Sequence, residues 1–417
     1  MKKINLIIIL LVHVNITAQD LLLEDCYKSA NINYPLAKQH DLLAKQSALA
    51  IEAIKTEKLP SIDFAGQATY QSDVIEFPFS LPNTNVDPLN KDQYKATITM
   101  NQLIYAGGLI DTNTELKSIN LKTKQKQIDV NLYQLKQQIN QLYFSILLLQ
   151  AKETLLIAKL NQLEIKIKEV KAGIKYGTLL PASDQILEAE ILKIKQLITE
   201  NSLNRASLTS TLSSLIGTEI ANSVNFKNPE IEIDLTSEIT RPELEVFELQ
   251  KEQITKTEQL TKRQKSPKII GFAQGGYGNP GLNMLDNSFQ PYYIIGLKLN
   301  WNVFDWNANK KQRQSLKINK DIIDTEAEVF TLNTTIELNK QLSEIKKITQ
   351  FIDDDKTIIK LRKKVLKAAD SQLKNGVITS STYITELTNL YEAENNLSTH
   401  QIQLLLAKAN YLVIKGK

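Results

Sequence analysis

The chain has 417 residues, of which 50 are Lys or Arg and 46 are Asp or Glu, so its formal net charge is +4. This near balance excludes the strongly basic surface with which proteins attract nucleic acid, and no nucleic-acid partner is expected. Only 14 glycines and 11 prolines occur, which predicts few turns and long uninterrupted elements. The single cysteine, Cys26, excludes an internal disulfide.

The chain begins with MKKINLIIILLVHVNITAQD. Two lysines precede an apolar stretch over residues 4–14, and small residues follow near Ala18, which is the pattern of a secretory signal peptide. We therefore expect residues 1–18 to be removed by cleavage near Ala18 or Gln19. A membrane anchor is the alternative, but the apolar stretch is shorter than the roughly 20 residues that cross a bilayer.

Beyond this segment the sequence repeats itself. KYGTLLPASD, which begins at Lys175, is similar to KNGVITSSTY, which begins at Lys374, and their glycines lie 199 residues apart. Three further pairs lie 207 residues apart: Pro35 with Pro242, Pro60 with Pro267, and Tyr70 with Tyr277. Such spacing indicates a tandem duplication. We predict a first repeat over residues 19–216, an inter-repeat equatorial segment over 217–241 and a second repeat over 242–417.

Each predicted repeat contains one very long helix. No glycine or proline interrupts residues 109–172 or residues 306–375. At the helical rise per residue, these helices would be about 100 Å long. Apolar residues recur every three or four positions, which is typical of helices packed side by side as coiled coils. Shorter helical segments flank them at residues 36–59, 182–216, 243–266 and 377–415.

Four short segments show a different pattern, in which apolar and polar residues alternate as in strands. They cover residues ~61–71, ~94–105, ~268–277 and ~292–303. In the last segment Tyr293, Ile295, Leu297 and Leu299 share one parity, and Lys298 lies on the other. Strands of about ten residues with one apolar face and aromatic ends are typical of transmembrane β-barrels. A soluble hairpin packed on a core is the alternative.

A membrane barrel would require several copies of the chain, because the smallest barrels of this kind have about eight strands. In such a barrel we expect Ile98, Leu297 and Leu299 to face lipid. We expect Lys95, Thr99 and Lys298 to face the lumen.

The order of these features resembles the TolC family of outer-membrane efflux proteins. It runs as helix, Pro60, strand, loop, strand, YAGG from Tyr105, long helix, YGTLLPASD and helix, and then repeats with RPEL from Arg241, Pro267, WNVFDW and NGVITSS. The resemblance covers nearly all of the mature chain. It implies a mainly helical fold with a small β part, in which a homotrimer combines four transmembrane strands per chain into a twelve-stranded barrel above a coiled-coil helical tunnel.

The resemblance also implies a function. The chain would be the outer-membrane exit duct of a tripartite efflux or type I secretion system, a passive conduit for small molecules or proteins. Its partners would be a periplasmic adaptor (membrane fusion) protein, an inner-membrane RND or ABC pump, and outer-membrane lipid. It would extend into the periplasm, have no enzyme activity and need no cofactor. A periplasmic coiled-coil scaffold or tether without a pore is the alternative function.

Three sets of site residues follow from the resemblance. The adaptor-docking tip comprises Tyr176, Gly177, Thr178, Leu179, Leu180, Gly376, Val377 and Ile378. The candidate gate comprises Ser183, Asp184, Thr382 and Glu386. The junction of barrel and tunnel comprises Pro60, Gly107, Gly108, Pro267 and Asp305. Family tips place an acidic residue six positions after the glycine, where this chain has Ser183 and Thr382, so an acidic gate does not carry over.

The four apolar residues of the tip are expected to be exposed and to contact the adaptor: Leu179, Leu180, Val377 and Ile378. No catalytic or metal-binding pattern is recognisable. His40 and His400 are expected to be isolated on polar helix faces. The stretch Asp353, Asp354, Asp355 lacks the glycine and the ligand spacing of a calcium loop, which favours a solvated face.

Overall fold

The computed structural model describes residues 20–75, 88–221 and 224–417. The expected signal peptide, residues 1–18, lies outside these ranges. Most of the described chain is helical and a small part is β. The prediction of a mainly helical fold with a small β part is confirmed.

The described chain begins with strand β1 (Asp20–Leu21), helix α1 (Leu23–Asn33) and a 3-10 turn (Pro35–Lys38). The elements that follow are α2 (Gln39–Thr56), β2 (Ser61–Tyr70), β3 (Asp92–Tyr105), α3 (Leu109–Lys175) and α4 (Ser183–Ile216). After β4 (Asn225–Phe226), the same order returns as α5 (Pro242–Arg263), β5 (Lys268–Asn279), β6 (Gln290–Asn300), α6 (Ala308–Lys374) and α7 (Ser380–Lys415). Helices α3 and α6 have the same length, 67 residues.

Two compact units make up the chain. The first contains the chain up to Lys38, Ile128–Pro242 and Val329–Lys417. It includes α1, α4, α7 and a small parallel sheet of β1 and β4. The second contains Gln39–Gln127 and Glu243–Glu328, and it includes α2, α5 and all four longer strands.

Apolar residues seven positions apart build a helical core in the first unit. On α3 these residues are Leu156, Leu163 and Val170. Residues with the same spacing on α4, α6 and α7 pack in the same core: Leu187 and Ile194, Leu366 and Leu373, Tyr383 and Leu390. Burying one such side chain stabilises the fold by roughly 1.5–3 kcal/mol. This is the packing that the apolar periodicity predicts.

In the second unit the four longer strands form one antiparallel sheet in the order β2-β3-β5-β6. Its centre joins β3 to β5, from Tyr94 opposite Asn279 to Tyr105 opposite Ile269. Strand β6 ends at Asn300, earlier than the expected ~303. The chain then turns into α6 through Trp306 and Asn307, both of which have positive φ.

Helix α1 and the small parallel sheet were not predicted from the sequence. Helix α1 has only 11 residues, and the buried positions that reveal it are Leu23, Cys26, Tyr27 and Ala30. The hydroxyl of Tyr143, a buried residue of α3, lies 2.8 Å from the carbonyl oxygen of Leu21 and 2.8 Å from that of Lys227. One side chain of the long helix therefore holds both strands of the small sheet.

Candidate functional site

One face of the four-stranded sheet is apolar from edge to edge. The strand pairing places Phe64 opposite Ile98, Ile98 opposite Gly275, and Gly275 opposite Tyr293. Neighbouring rows add Ile62, Met100, Ala273, Ile295, Leu297 and Leu299 to the same face. The large side chains are exposed, with 74% of the surface of both Phe64 and Ile295 accessible. A continuous exposed apolar surface marks a contact with lipid or protein.

The opposite face of the sheet is mainly polar, although Ile270, Phe272 and Ile294 also lie on it. By the pairing register, Lys95, Thr99 and Lys298 lie on this face, away from Ile98, Leu297 and Leu299. The side-chain amide of Gln274 donates a hydrogen bond to the Thr99 hydroxyl at 2.9 Å. A Cβ added at Gly276 would lie 2.3 Å from the Tyr292 ring, so glycine makes room for this ring. The two faces can therefore meet two different environments.

The outer strands of the sheet each have an unpaired edge among the described residues, and aromatic residues lie at both ends. Within the described residues, β2 and β6 each pair with a strand on one side only. At the end away from the long helices, the Phe289 ring lies 5.5 Å from that of Tyr277 and 6.3 Å from that of Tyr94. At the other end, Phe304 and Trp306 form an edge-to-face pair 4.8 Å apart. Aromatic residues thus lie at both ends of the apolar face.

Glycines predicted for the junction lie where β3 passes into α3. Gly107 has a φ of +60°, and a Cβ added there would lie 2.1 Å from the Cβ of Ser266, the residue before Pro267. Arg263 donates from Nη1 to the Gly107 carbonyl oxygen at 2.9 Å. The same guanidinium would be 3.1 Å from a Cβ at Gly108. Backbone conformation and close packing both require glycine at position 107.

Asp305, another predicted junction residue, caps the second long helix. Its carboxylate accepts a hydrogen bond from the Asn309 backbone amide at 3.1 Å and another from the Lys265 ammonium at 3.1 Å. These two contacts hold the pKa of Asp305 below its usual value. Pro60 lies between α2 and β2, where a missing N–H removes no helical hydrogen bond.

We expect Gly107→Val to lower the free energy of unfolding by about 1–3 kcal/mol, because valine would adopt a left-handed conformation against Ser266. Gly66→Ala in β2 is the matched control, since a Cβ at that position meets no atom within 4 Å. Thermal unfolding of the purified proteins measures both changes. Equal stability of the two variants would contradict the assigned packing of the junction.

The two predicted tip turns lie next to each other in the first unit. Gly177 has a φ of +74° and Gly376 a φ of +70°, which is the left-handed conformation in which many helices end. The Val377 amide donates back to the Gln372 carbonyl oxygen at 2.9 Å, which closes the second turn. A Cβ added at Gly376 would lie 3.0 Å from the Thr178 carbonyl oxygen.

Only two of the four apolar tip residues are exposed as expected. Leu180 is 67% exposed and Val377 is 70% exposed. The expectation is wrong for Leu179 and Ile378, which are half-buried and pack against the helical core of the first unit. Successive side chains in a tight turn point in different directions, so one of two adjacent apolar residues can pack inward while the other faces solvent.

The candidate gate residues have different surroundings. Ser183 is buried and Asp184 half-buried in the first turn of α4. On α7, the Thr382 backbone amide donates to the Thr379 side chain at 3.3 Å, which is an N-cap contact. The carboxylate of Glu386 lies 3.5 Å from the Arg362 guanidinium of α6. Glu386 is therefore already paired within the chain.

Solved structures with the same architecture include outer-membrane channels. The chain is similar to the outer membrane protein VceC from Vibrio cholerae, with 13% identity and a TM-score of 0.65 over 94% of this chain and 96% of that one. It is similar to the Campylobacter jejuni CmeC outer membrane channel, with 14% identity and a TM-score of 0.64 over 94% and 85%. For the open state of the Neisseria gonorrhoeae MtrE outer membrane channel, identity is 16% and the TM-score 0.67 over 94% and 89%.

The chain has the TolC-family fold. No protein-family model and no curated protein matches its sequence. At 13 to 16% identity the similarity establishes the fold alone.

Near the predicted tip turns, the chain buries a lysine among acidic and aromatic groups. The Lys166 ammonium of α3 contacts the carboxylates of Asp370 on α6 and Glu169 on α3. It also lies 5.3 Å from the centre of the Tyr383 ring on α7. Burial opposes charge on Asp370, but hydrogen bonds from Lys166 and Lys374 hold the pKa of its carboxyl below the usual value.

We expect Asp370→Asn to lower the melting temperature at neutral pH. A carboxyl whose pKa is depressed by folding contributes stability above its ordinary pKa and loses it as the pH falls through the folded-state pKa. The difference from wild type should therefore begin to shrink as the pH falls to about 4, the ordinary pKa of an aspartate, and should disappear only below the depressed folded-state pKa of Asp370. Asp353→Asn is the control, because its ion pair with Lys356 is exposed and contributes little. A pH-independent difference for Asp370→Asn would contradict the ionic origin of the effect.

The expectation that His40 and His400 are isolated is wrong. His400 Nδ1 on α7 lies 2.6 Å from the Asp355 carboxylate on α6, and His40 also has contacts. Asp355 is buried, so the expectation of a solvated acidic stretch fails at this position. The two partners are 45 positions apart on antiparallel helices, and only their packing reveals the contact.

No group of three or more His, Cys, Asp or Glu side chains within residues 20–75, 88–221 and 224–417 could hold a metal ion. Over the same residues, no helix is both long enough and apolar enough to cross a membrane.

Proposed function

We propose that the chain is the outer-membrane exit duct of a tripartite efflux or type I secretion system. The observation that carries the proposal is the four-stranded sheet, which has one continuous apolar face, one mainly polar face and an unpaired edge on each outer strand among the described residues. In the proposed channel the apolar face contacts outer-membrane lipid. The polar face lines a water-filled passage for small molecules or proteins.

The dimensions of the sheet support a membrane position. Strands β2, β5 and β6 have 10, 12 and 11 residues, and a tilted transmembrane strand requires about 9–11. Barrels of this kind carry an apolar band about 25 Å tall between two girdles of aromatic residues. The Tyr277–Phe289 pair and the Phe304–Trp306 pair occupy the corresponding ends of this sheet.

The direction of the strands supports closure with other copies. Because successive strands are antiparallel, β6 of one copy would run antiparallel to β2 of the next, and the unpaired backbone groups of both edges would be satisfied. Lipid offers these groups no alternative partner. The resemblance to the TolC family supplies the number of copies, three, and therefore twelve strands.

Helix α6 also supports self-association. Its exposed apolar residues recur at intervals of three, four and seven positions: Ile318, Ile322, Val329, Leu332 and Ile336. This spacing forms a stripe that a neighbouring helix can cover. We assign it to contacts between copies in the periplasmic tunnel, and we assign the exposed tip residues Leu180 and Val377 to the periplasmic adaptor, which in turn contacts an RND or ABC pump.

Purification and planar-bilayer recordings test this function. The mature protein should leave membranes only with detergent, migrate as a trimer and conduct ions when added to a planar bilayer. A soluble monomer in detergent-free buffer would contradict the membrane assignment. A folded trimer without conductance would favour the periplasmic scaffold or tether.

A further inference from the structure

A basic cleft lies in the second unit where β5 and β6 meet the helices. It has a volume of about 660 Å³, and its lining includes Lys262, Arg263, Lys265 and Arg313. Arg263 donates to the Gly107 carbonyl oxygen and keeps its full charge, because a carbonyl group is neutral. Four cationic side chains in one cleft are the donor set that phosphate groups prefer.

Carboxylates balance only part of this charge. Lys265 pairs with Asp305 at 3.1 Å, and Arg313 pairs with Glu258 at 3.0 Å. Among the described residues, no carboxylate pairs with Lys262 or Arg263. The cleft therefore has a local excess of about two positive charges at neutral pH.

The start of α6 lies beside this cleft and adds to its excess of positive charge. Lys310 and Lys311 lie in its first turn without an ion pair in the described part of the chain, and this turn contains no acidic residue. Cations are unfavourable there because a helix N-terminus is itself positive. The Asp305 carboxylate caps this end of α6, but Lys265 already pairs with it. The corresponding turn of α3 contains Asp111, which pairs with Lys58 at 2.6 Å. A bound anion would relieve the repulsion at α6.

The cleft also lies beside the aromatic end of the apolar face. The Trp301 indole N–H donates to the Lys265 carbonyl oxygen at 3.1 Å. Trp306, five residues further along, is 81% exposed. If the apolar face lies in lipid, as the proposed function requires, these aromatic rings mark the level of the headgroups.

We infer that this cleft binds the phosphate of an anionic phospholipid in the membrane leaflet that faces the long helices. Basic pockets of this kind recognise anionic lipid headgroups. The inference rests on the proposed function, since lipid must surround the sheet for a headgroup to reach Lys262. It gives the junction a further role, in which bound lipid fixes the height of the barrel relative to the helices.

Tryptophan fluorescence provides a direct test, because Trp301 and Trp306 are the only two tryptophans of the chain. The full-length protein would be reconstituted in phosphatidylcholine bilayers that contain brominated phosphatidylglycerol or, in parallel, brominated phosphatidylcholine. Bromine quenches tryptophan emission on contact. We expect phosphatidylglycerol to be preferred by at least about fivefold, the effect of one lysine at a charged membrane surface.

The test variant is Lys262→Gln with Lys310→Gln and Lys311→Gln, which removes three lysines that have no ion pair within the described chain. Its matched control removes three exposed lysines elsewhere on α6, also without an ion pair in that part of the chain: Lys346→Gln, Lys360→Gln and Lys364→Gln. The test variant should show no preference for phosphatidylglycerol over phosphatidylcholine, that is, a ratio of about one. The control should keep a preference of fivefold or more.

Each other outcome has a distinct meaning. Equal quenching by both lipids in the wild-type protein would overturn the lipid site and leave the membrane position intact. No quenching by either lipid would contradict the proposed function itself. A saturable change in tryptophan emission when inorganic phosphate is added to the detergent-solubilised protein, lost in the test variant, would show a site for free phosphate and overturn the assignment to lipid.

Discussion

Arginine at position 295 should prevent stable insertion of the sheet. Ile295 is the central residue of β6 and lies on the apolar face opposite Ala273. A charged side chain on the lipid face of such a barrel costs about 2–4 kcal/mol near the bilayer midplane and about 0–1 kcal/mol near the interfaces. Since every copy in the trimer would contain the substitution, this cost is multiplied by three.

The expected loss of trimer depends on how deep in the bilayer the substituted residue lies and on which face of the sheet it occupies. Leu299 is one residue from the end of β6, so Leu299→Arg should reduce the amount of trimer less than Ile295→Arg does. Lys298→Gln, on the opposite face, should leave the amount of trimer unchanged and alter only ion selectivity. The measurement is the amount of trimer in outer-membrane fractions. Equal tolerance of Ile295→Arg and Lys298→Gln would contradict the assignment of the faces.

Loss of adaptor docking is the second large expected effect. Leu180 and Val377 expose their apolar surfaces on adjacent turns, and covering a side chain of this kind contributes roughly 1.5–3 kcal/mol. With three copies of each turn in the trimer, Leu180→Asp combined with Val377→Asp should abolish docking. The half-buried Ile378 is unsuitable for this test, because its substitution would also disturb the helical core.

Crosslinking to the adaptor and export activity in living cells measure this effect, alongside the amount of trimer. The matched control, Gln185→Asp with Gln372→Asp, adds the same charge at exposed positions near the turns. We expect a normal amount of trimer in both proteins and loss of export only in the apolar variant. Persistent export would show that the two turns only cap their helices and do not dock the adaptor. Loss of the trimer would place Leu180 and Val377 in the folding core.

Features that depend on local periodicity were predictable from the sequence. The alternation from Tyr293 to Leu299 marks a strand, and the glycine-free stretch over residues 109–172 marks a long helix. Gly177 and Gly376 mark the turns, because few other residues adopt positive φ. Each of these signals lies within a few neighbouring positions of the chain.

Features that depend on packing were not predictable. Asp355 and His400 lie on different helices, and the sequence gives no sign that they are paired. Leu179 and Leu180 are identical in type, yet only the folded turn shows which one packs inward. Lys262 and Arg313 belong to separate helices, and the cleft between them exists only because α5 and α6 meet beside the sheet.

Thiol labelling along β6 tests the central claim most directly. Single cysteines would replace residues 293 to 299 in turn, and the native Cys26 can remain because it is buried and burial raises the pKa of its thiol to about 12. In the membrane-embedded trimer, a water-soluble reagent should label positions 294, 296 and 298, which face the lumen. It should spare positions 293, 295, 297 and 299, which face lipid. Labelling of the second set with protection of the first, or equal labelling of both, would contradict a sheet that separates lipid from a water-filled channel.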